Sequence, residues 1–188
     1  VLFADGAGAV VLQATDQPTG LLAYNLGSDG FGRDLLKVTA GGSRRPASHE
    51  TVENGEHFVR MKGHELYRYA VDKMAKAAQL ALAEAGLEPE QVALVIPHQA
   101  NLRIIQAVAR HMKLPEEKFF VNIDRYGNTS SASIPIALNE AIEAGRVKQG
   151  DYLLLVAFGA GLTWGAAVVQ WGVPAVVPAV PVWKVLLD

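Results

Sequence analysis

Apolar positions along the chain follow two spacings, one typical of helices and one typical of strands. From about Arg60 to Ala85 they recur every three or four residues and end at Gly86, which predicts one long amphipathic helix. The same spacing predicts helices at Leu102–Met112 and Ser133–Ala144. Short apolar runs predict strands at Val1–Phe3, Ala9–Gln13, Leu21–Leu26, Val92–Ile96, Phe119–Asn122, Tyr152–Phe158 and Trp164–Trp171.

The order of these elements predicts an α/β fold. It is β-β-loop-α-β-α-β-α-β-β, so we expect largely parallel pairing with helices packed on the sheet and an antiparallel pair at the end. The turn Pro18-Thr19-Gly20 predicts a hairpin between Ala9–Gln13 and Leu21–Leu26. The glycine-rich stretch Gly27–Glu56 has little periodicity and is predicted to be an irregular surface excursion.

The two ends of the sequence differ from the rest. Residues 173–188 contain Pro174, Pro178 and Pro181, which exclude a regular helix or a central strand there. An extended docking arm and a non-native sequence are both open interpretations of this tail. The chain begins on an apolar run without a methionine, and we expect it to be a fragment or a processed product.

Composition narrows the class of protein. The chain has 188 residues, 50% of them hydrophobic and 19% charged, which is enough for one substantial core and predicts one domain. A net charge of −2 gives no electrostatic reason to expect nucleic acid or a membrane surface as a partner. Without a long apolar run or a basic leader, we expect a soluble, cytoplasmic protein. The sequence has no cysteine, so it carries no disulfide, thiolate metal site or cysteine nucleophile.

Common metal and nucleotide motifs are missing from the sequence. No two of its histidines form an H-x-x-x-H pair, and we expect no metal site. Gly6-Ala7-Gly8 precedes a predicted strand, and Gly159-Ala160-Gly161 lies between two strands, whereas a dinucleotide fingerprint leads from a strand into a helix. Tight turns and close backbone approach explain Gly6 and Gly8. Gly159–Gly161 is either such a turn or a source of backbone N–H groups for an oxyanion.

Two loops that lead into helices carry the candidate chemistry. His98 follows a predicted strand in VIPHQANLRII, and Asn128 lies in YGNTSS ahead of the next helix. Loops at the carboxyl ends of strands commonly hold ligands in open α/β sheets. A neutral imidazole and a carboxamide both donate hydrogen bonds, which suits a carbonyl that gains negative charge. A histidine that closes a local hydrogen bond and an asparagine in a turn or helix cap are the alternatives.

Several motifs together resemble one enzyme family. HQANLRII at His98–Ile105, DRYGNTSSASIPIAL at Asp124–Leu138 and AFGAGLTWGAAVV at Ala157–Val169 are similar to motifs of the β-ketoacyl-acyl-carrier-protein synthase III family. LFADGAGAVVL at Leu2–Leu12 resembles the strand that ends the first half of that family. The resemblance covers residues 1–172 in the correct order, and the tail lies outside it.

The resemblance implies a thiolase-like fold, of which this chain would be the C-terminal half. That half is a βαβαβαββ mixed sheet with helices on both faces, and residues 1–13 would be the last strand of the first half. The family condenses acyl-coenzyme A with malonyl-acyl-carrier-protein and so initiates fatty acid synthesis. A cysteine takes up the acyl group, malonyl loses carbon dioxide, and the resulting carbanion attacks the acyl-enzyme.

The resemblance also assigns roles to particular residues. His98 and Asn128 match the family's catalytic histidine and asparagine, which hydrogen-bond the malonyl thioester oxygen. Phe158 matches an aromatic residue of the active-site wall, and the backbone N–H of Ala160 matches an oxyanion donor, although glycine is common at that position. Asn101 matches a residue that contacts the pantetheine arm.

Partners follow from the same resemblance. Arg103, Arg68 and Arg110 would bind the acidic carrier protein, although without the resemblance they are ordinary solvated charges on helices. No cofactor is expected, because the substrates themselves carry coenzyme A and phosphopantetheine. The family's cysteine belongs to the N-terminal half, so we expect this chain to need that half and to be inactive by itself. We also expect a homodimer.

Two hypotheses of different classes remain at this point. In the first, the chain is part of a condensing enzyme whose cysteine-bearing half is supplied elsewhere. In the second, it is a non-catalytic module that binds acyl groups or carrier protein and keeps the half-fold. The identity of the acyl primer does not follow from the sequence.

Overall fold

The computed structural model describes residues 3–173. The strands are β1 (Gly20–Ser28), β2 (Leu36–Val38), β3 (Val59–Met61), β4 (Val92–Pro97), β5 (Tyr152–Gly159) and β6 (Thr163–Gln170). The helices are α1 (His49–Glu53), α2 (Gly63–Ala85), α3 (Leu102–Met112), α4 (Ile123–Tyr126) and α5 (Ser133–Glu143). Short 3-10 turns lie at Gly30–Leu35, Pro89–Gln91, Glu116–Lys118 and Ser130–Ala132. The predicted α/β class is confirmed.

A mixed four-stranded sheet with the order β1-β6-β5-β4 forms the centre of the molecule. β4 and β5 are parallel, so their carboxyl ends lie at the same edge, whereas β5 and β6 are antiparallel as predicted. β1 pairs antiparallel with β6, with Tyr24 opposite Ala167. The expectation of largely parallel pairing was therefore wrong, because the first strand joins the sheet beside the last one.

Helices cover both faces of this sheet, as predicted. α2 and α3 bury one apolar cluster, which includes Met74, Ile105 and Leu154. α5 buries a second cluster on the other face, with Ala137 and Ala141 against Leu94 and Leu153. The small residues of α5 allow it to lie close to the strands, and this places its first turn beside the end of β4.

Local sequence explains where the three long helices begin and end. α2 begins at Gly63, three residues later than predicted, and ends at Ala85, where Gly86 follows as the C-cap with a φ of 69° that glycine adopts at little cost. Asn101 caps the start of α3 because its Oδ1 accepts a hydrogen bond from the Arg103 N–H at 2.9 Å. α5 begins at Ser133, as predicted.

Residues 3–15 form no regular element, and we call them the N-terminal arm. The predicted strand Ala9–Gln13 and its hairpin with Leu21–Leu26 are wrong, because β1 takes β6 as its partner and the arm pairs with no strand among the described residues. The arm instead packs close to α5: a Cβ on Gly8 would lie 2.5 Å from Pro135 Cγ, which confirms the close approach predicted for this glycine. Residues 1 and 2 of the predicted strand Val1–Phe3 lie outside the described residues.

Two further predictions needed correction. Phe119–Asn122 is not a strand; it makes one isolated bridge, between Phe119 and Val95. The excursion Gly27–Glu56 is less irregular than predicted, since it contains α1 and β2, and β2 pairs with β3 in a small antiparallel sheet.

The tail is described as far as residue 173, so the interpretations of residues 174–188 lie outside the described part. Within residues 3–173, no helix is both long enough and apolar enough to cross a membrane.

Candidate functional site

His98 stands at the carboxyl end of β4, directly after Pro97. Its main-chain N–H donates to the Val156 carbonyl of β5 at 2.8 Å, so the backbone at this position is still held by the sheet. Its ring Nδ1 lies 2.6 Å from Ser133 Oγ, at the start of α5. Burial lowers the pKa of His98 below the usual value for histidine, so the ring is neutral near pH 7.

Asn128 lies in the loop between α4 and α5, and its side chain is buried. The side-chain Oδ1 accepts a hydrogen bond from the Ser130 N–H at 3.0 Å. Because a backbone N–H can only donate, this contact fixes the amide with its oxygen toward Ser130 and leaves Nδ2 as the remaining donor. The Asn128 carbonyl accepts from the Ala4 N–H at 2.7 Å, so the N-terminal arm also holds the loop.

The buried side chain of Gln99 joins the two loops. Its Nε2 donates to the Pro97 carbonyl at 2.9 Å and to the Phe120 carbonyl at 3.0 Å, and its Oε1 accepts from the Asn122 N–H at 3.1 Å. These contacts use main-chain groups of residues 119–122 that would otherwise be available to a strand ladder. The loop after β4 and the segment before α4 are thereby held as one unit.

Glu140 of α5 extends this connection toward Asn128. Its carboxylate accepts from Asn122 Nδ2 at 2.7 Å, from both terminal nitrogens of Arg125 at 2.8 Å and from the Tyr126 hydroxyl at 2.8 Å. A carboxylate with four donors of this kind fixes the orientation of α4 on α5. α4 ends two residues before Asn128, so the same contacts limit the movement of its loop.

His98 and Asn128 line one cavity of about 1130 Å³ at the carboxyl edge of β4 and β5. Much of the remaining wall is apolar, and it also includes residues of α2, α3, β2, β3 and β6. The apolar part of the wall includes Leu26, Leu36, Val38, Val59, Met61, Leu66, Ile104 and Trp164. A large, mainly apolar cavity with a small number of polar groups suits a largely apolar ligand that is oriented by a few hydrogen bonds.

Six of the eight predicted site residues lie on the wall of this cavity, namely His98, Asn128, Phe158, Ala160, Asn101 and Arg103. Arg68 and Arg110 are not among its lining residues. Arg68 is exposed on α2, near Tyr69 and Asp72. Arg110 is exposed on α3, with its NH1 atom 3.9 Å from Glu116. The structure therefore places one of the three arginines at the cavity and two on the outer surfaces of neighbouring helices.

Sequence reasoning missed the two residues that hold His98 and its loop, Ser133 and Gln99. Ser133 begins a predicted helix, where serine commonly serves in capping, and Gln99 lies in the loop after a predicted strand, so neither position by itself indicates a role in the site. The signal that could have identified Gln99 is its position in a loop directly after a buried strand, where unpaired main-chain groups need partners.

No group of three or more histidine, cysteine or acidic side chains that could hold a metal ion occurs in the part of the chain that the structure describes. The expectation that the site needs no metal and no cofactor stays a prediction.

Comparisons with protein families and curated proteins show which proteins this chain is similar to. Residues 82–171 match the family described as 3-oxoacyl-[acyl-carrier-protein] synthase III C terminal, and residues 1–30 match 3-oxoacyl-[acyl-carrier-protein] synthase III. β-Ketoacyl-[acyl-carrier-protein] synthase III of Roseiflexus sp. (strain RS-1) is 57% identical over 171 residues, which are 91% of this chain and 52% of that protein. The enzyme of the same name from Clostridioides difficile (strain 630) is 52% identical over 171 residues, which again are 91% of this chain and 52% of that protein.

Solved structures give the same result for the fold. The β-ketoacyl-acyl-carrier-protein synthase III of Thermus thermophilus has a TM-score of 0.75 and 46% identity, over 85% of this chain and 48% of that chain. The synthase III of Pseudomonas aeruginosa PAO1 has a TM-score of 0.76 and 36% identity, over 90% and 49%. The chain spans about half the length of the curated relatives it matches.

Proposed function

Because this chain belongs to the β-ketoacyl-acyl-carrier-protein synthase III family, with the thiolase-like fold of its solved members, we propose that it supplies the decarboxylation site of such a synthase. The whole enzyme would condense acyl-coenzyme A with malonyl-acyl-carrier-protein. One observation carries the proposal: His98 and Asn128 line the same cavity, and among residues 3–173 each has a hydrogen-bond partner for one polar atom and none for the other, which leaves the second atom for a ligand.

These two side chains suit the charge that develops when malonyl loses carbon dioxide. The bond between the carboxylate carbon and the α-carbon breaks, carbon dioxide leaves, and the electron pair passes to the thioester oxygen as an enolate. His98 Nε2 and Asn128 Nδ2 would donate hydrogen bonds to that oxygen. Both donors are neutral and already oriented, so little reorganisation is needed as the charge forms.

The carbon–carbon bond would then form at a cysteine that this chain does not contain. The enolate carbon attacks the acyl thioester carbonyl on the cysteine of an N-terminal half, and the thiolate leaves. The backbone N–H of Ala160 is our candidate donor to the oxyanion of that step, and Phe158 is the candidate aromatic wall. In this proposal the whole enzyme is a cytoplasmic homodimer that needs no cofactor.

The candidate contacts of the pantetheine arm and of the carrier protein lie at the cavity and on the helices around it. Asn101 is our candidate for the pantetheine arm: its Oδ1 is occupied by the Arg103 N–H, so Nδ2 is available to donate. Arg103, which lines the cavity, is the best supported of the three candidate carrier-protein contacts. Arg68 and Arg110 are exposed and would contact the acidic carrier protein outside the cavity.

The test uses an enzyme assembled from this chain and a cysteine-bearing half. His98→Ala or Asn128→Ala should reduce malonyl decarboxylation about a hundredfold or more, the usual scale for loss of an oxyanion donor. Transfer of the acyl group to the cysteine should fall much less. His111→Ala, at an exposed position of α3, is the matched control and should leave both rates unchanged.

Two results would contradict the proposal. Equal losses of both half-reactions in correctly folded His98 and Asn128 variants would show that these side chains do not act selectively on decarboxylation. Substrate binding in the cavity without decarboxylation in the assembled wild-type enzyme would favour the alternative, a non-catalytic module that binds acyl groups or carrier protein.

A further inference from the structure

We propose that Ser133 is a positioning residue that holds His98 in the tautomer with its proton on Nε2. The inference deepens the proposed function, because only that tautomer can donate a hydrogen bond from Nε2 to a thioester oxygen while the ring is neutral. It assigns a role to a buried hydroxyl that the proposed reaction does not otherwise use.

The hydrogen bonds around Ser133 Oγ decide which atom donates. The hydroxyl has one proton and two lone pairs. One lone pair accepts from the Gln99 N–H at 3.2 Å, and the other close polar neighbour is His98 Nδ1 at 2.6 Å. Among the hydrogen bonds of the described residues, His98 Nδ1 is the acceptor available to the hydroxyl proton.

The opposite arrangement would leave that proton without a partner. If Nδ1 carried the hydrogen and donated to Ser133 Oγ, the oxygen would accept two hydrogen bonds and its own proton would point at no acceptor. Ser133 is 2% exposed, so water does not replace the missing acceptor easily. An unsatisfied buried hydroxyl proton is costly, and this cost favours donation from Ser133 to Nδ1.

The surroundings keep both partners in place and the ring neutral. The Gln99 N–H that orients the hydroxyl belongs to a residue whose side chain is itself fixed by three main-chain hydrogen bonds. Ser133 begins α5, an eleven-residue helix, so the positive end of its dipole lies beside the ring and disfavours an imidazolium. A neutral ring with Nδ1 occupied presents Nε2–H as its free group.

The first measurement needs no variant. In the enzyme assembled with its cysteine-bearing half and labelled with ¹⁵N-histidine, nitrogen chemical shifts above pH 7 should show His98 with a bare Nδ1 and a protonated Nε2. The resonances are assigned by their loss in His98→Gln. A protonated Nδ1 in the wild-type enzyme would overturn the proposal, whether or not any variant folds.

Variants of Ser133 then separate positioning from support of the fold. Ser133→Ala should give a mixture of tautomers and lower the rate constant of malonyl decarboxylation about tenfold or more, with a smaller change in KM. A donor to Nδ1 stabilises the neutral ring, so its removal should raise the pKa of His98 and move the acidic limb of the pH–rate profile to higher pH. Ser133→Thr keeps the hydroxyl, so it should restore the Nε2-protonated tautomer and the wild-type position of the acidic limb. Ser43→Ala, at an exposed loop position, should change neither the tautomer nor the acidic limb.

The outcomes distinguish this inference from the proposed function. An unchanged tautomer and an unchanged acidic limb in Ser133→Ala would refute the positioning role. A shifted tautomer in Ser133→Ala, combined with normal decarboxylation in His98→Ala, would support the role of Ser133 and refute the catalytic role of His98.

Discussion

Replacement of Gln99 by leucine would remove the hydrogen bonds that join the two loops while roughly keeping the side-chain volume. Gln99 is 1% exposed, and its three partners are main-chain groups of Pro97, Phe120 and Asn122. A buried polar group that loses its partner costs about 1–3 kcal/mol, and these costs are not fully additive. We therefore expect Gln99→Leu to lower the free energy of unfolding by about 3–5 kcal/mol, a large part of the stability of a domain.

The assay is urea unfolding followed by tryptophan fluorescence, at one fixed protein concentration because association contributes to apparent stability. Gln79→Leu is the matched control: Gln79 is exposed on α2, and its substitution should change the free energy by no more than about 0.5 kcal/mol. If Gln99→Leu cost less than about 1 kcal/mol, water or relaxed main chain would satisfy these groups, and the view of Gln99 as the link between the loops would be wrong.

Three further predictions rest on the lack of cysteine, on the burial of His98 and on the exposed apolar side chains. The isolated chain should form no covalent adduct with acyl-coenzyme A in mass spectrometry, since it has no cysteine; a stable adduct would require another nucleophile. Because burial lowers the pKa of His98, the unfolded state takes up a proton on this residue at a higher pH than the folded state does. The contribution of the neutral ring to the stability of the folded state is therefore full above about pH 6.5 and is lost as the pH falls toward the folded-state pKa. Urea midpoints should therefore fall more steeply between about pH 7 and pH 5 for wild type than for His98→Gln, and parallel curves would contradict this. Val11 and Leu12 are 95% and 91% exposed, and β1 exposes Leu21 and Leu26 at 61% and 71%, so the chain should self-associate or bind a cysteine-bearing half in sedimentation at micromolar concentration. A stable monomer that binds no hydrophobic dye would contradict the placement of these residues at an interface.

Much of the fold was predictable because its long elements have a clear apolar period. The helices from Leu102 and Ser133 begin where predicted, and β4 to β6 agree with the sequence to within one or two residues at most ends. The positions of His98 and Asn128, each in a loop that leads into a predicted helix, also allowed both to be expected at one site. The apolar period indicates which face of an element is buried, and the apolar faces of these elements pack against other elements of the same chain.

The failures have particular physical causes. The apolar run Ala9–Gln13 has the composition of a strand, but β1 pairs with β6 and leaves it without a ladder. Phe119–Asn122 also has a strand-like composition, yet Gln99 takes two of its main-chain groups. The contact between His98 and Ser133 joins residues 35 positions apart. Such side-chain contacts depend on how α5 packs on the sheet, and a single sequence does not contain that information in its spacing.

The hydrogen bond from the Ala4 N–H to the Asn128 carbonyl has a practical consequence for dividing the proposed enzyme into two pieces. The turn at residues 16–18 is exposed and separates the N-terminal arm from β1. A cut there would leave the arm on one piece and the Asn128 loop on the other, so the loop would regain this support only when the pieces meet. Fused to two proteins of interest, the pieces would act as a complementation reporter, in which the proposed release of carbon dioxide from malonyl would measure their association.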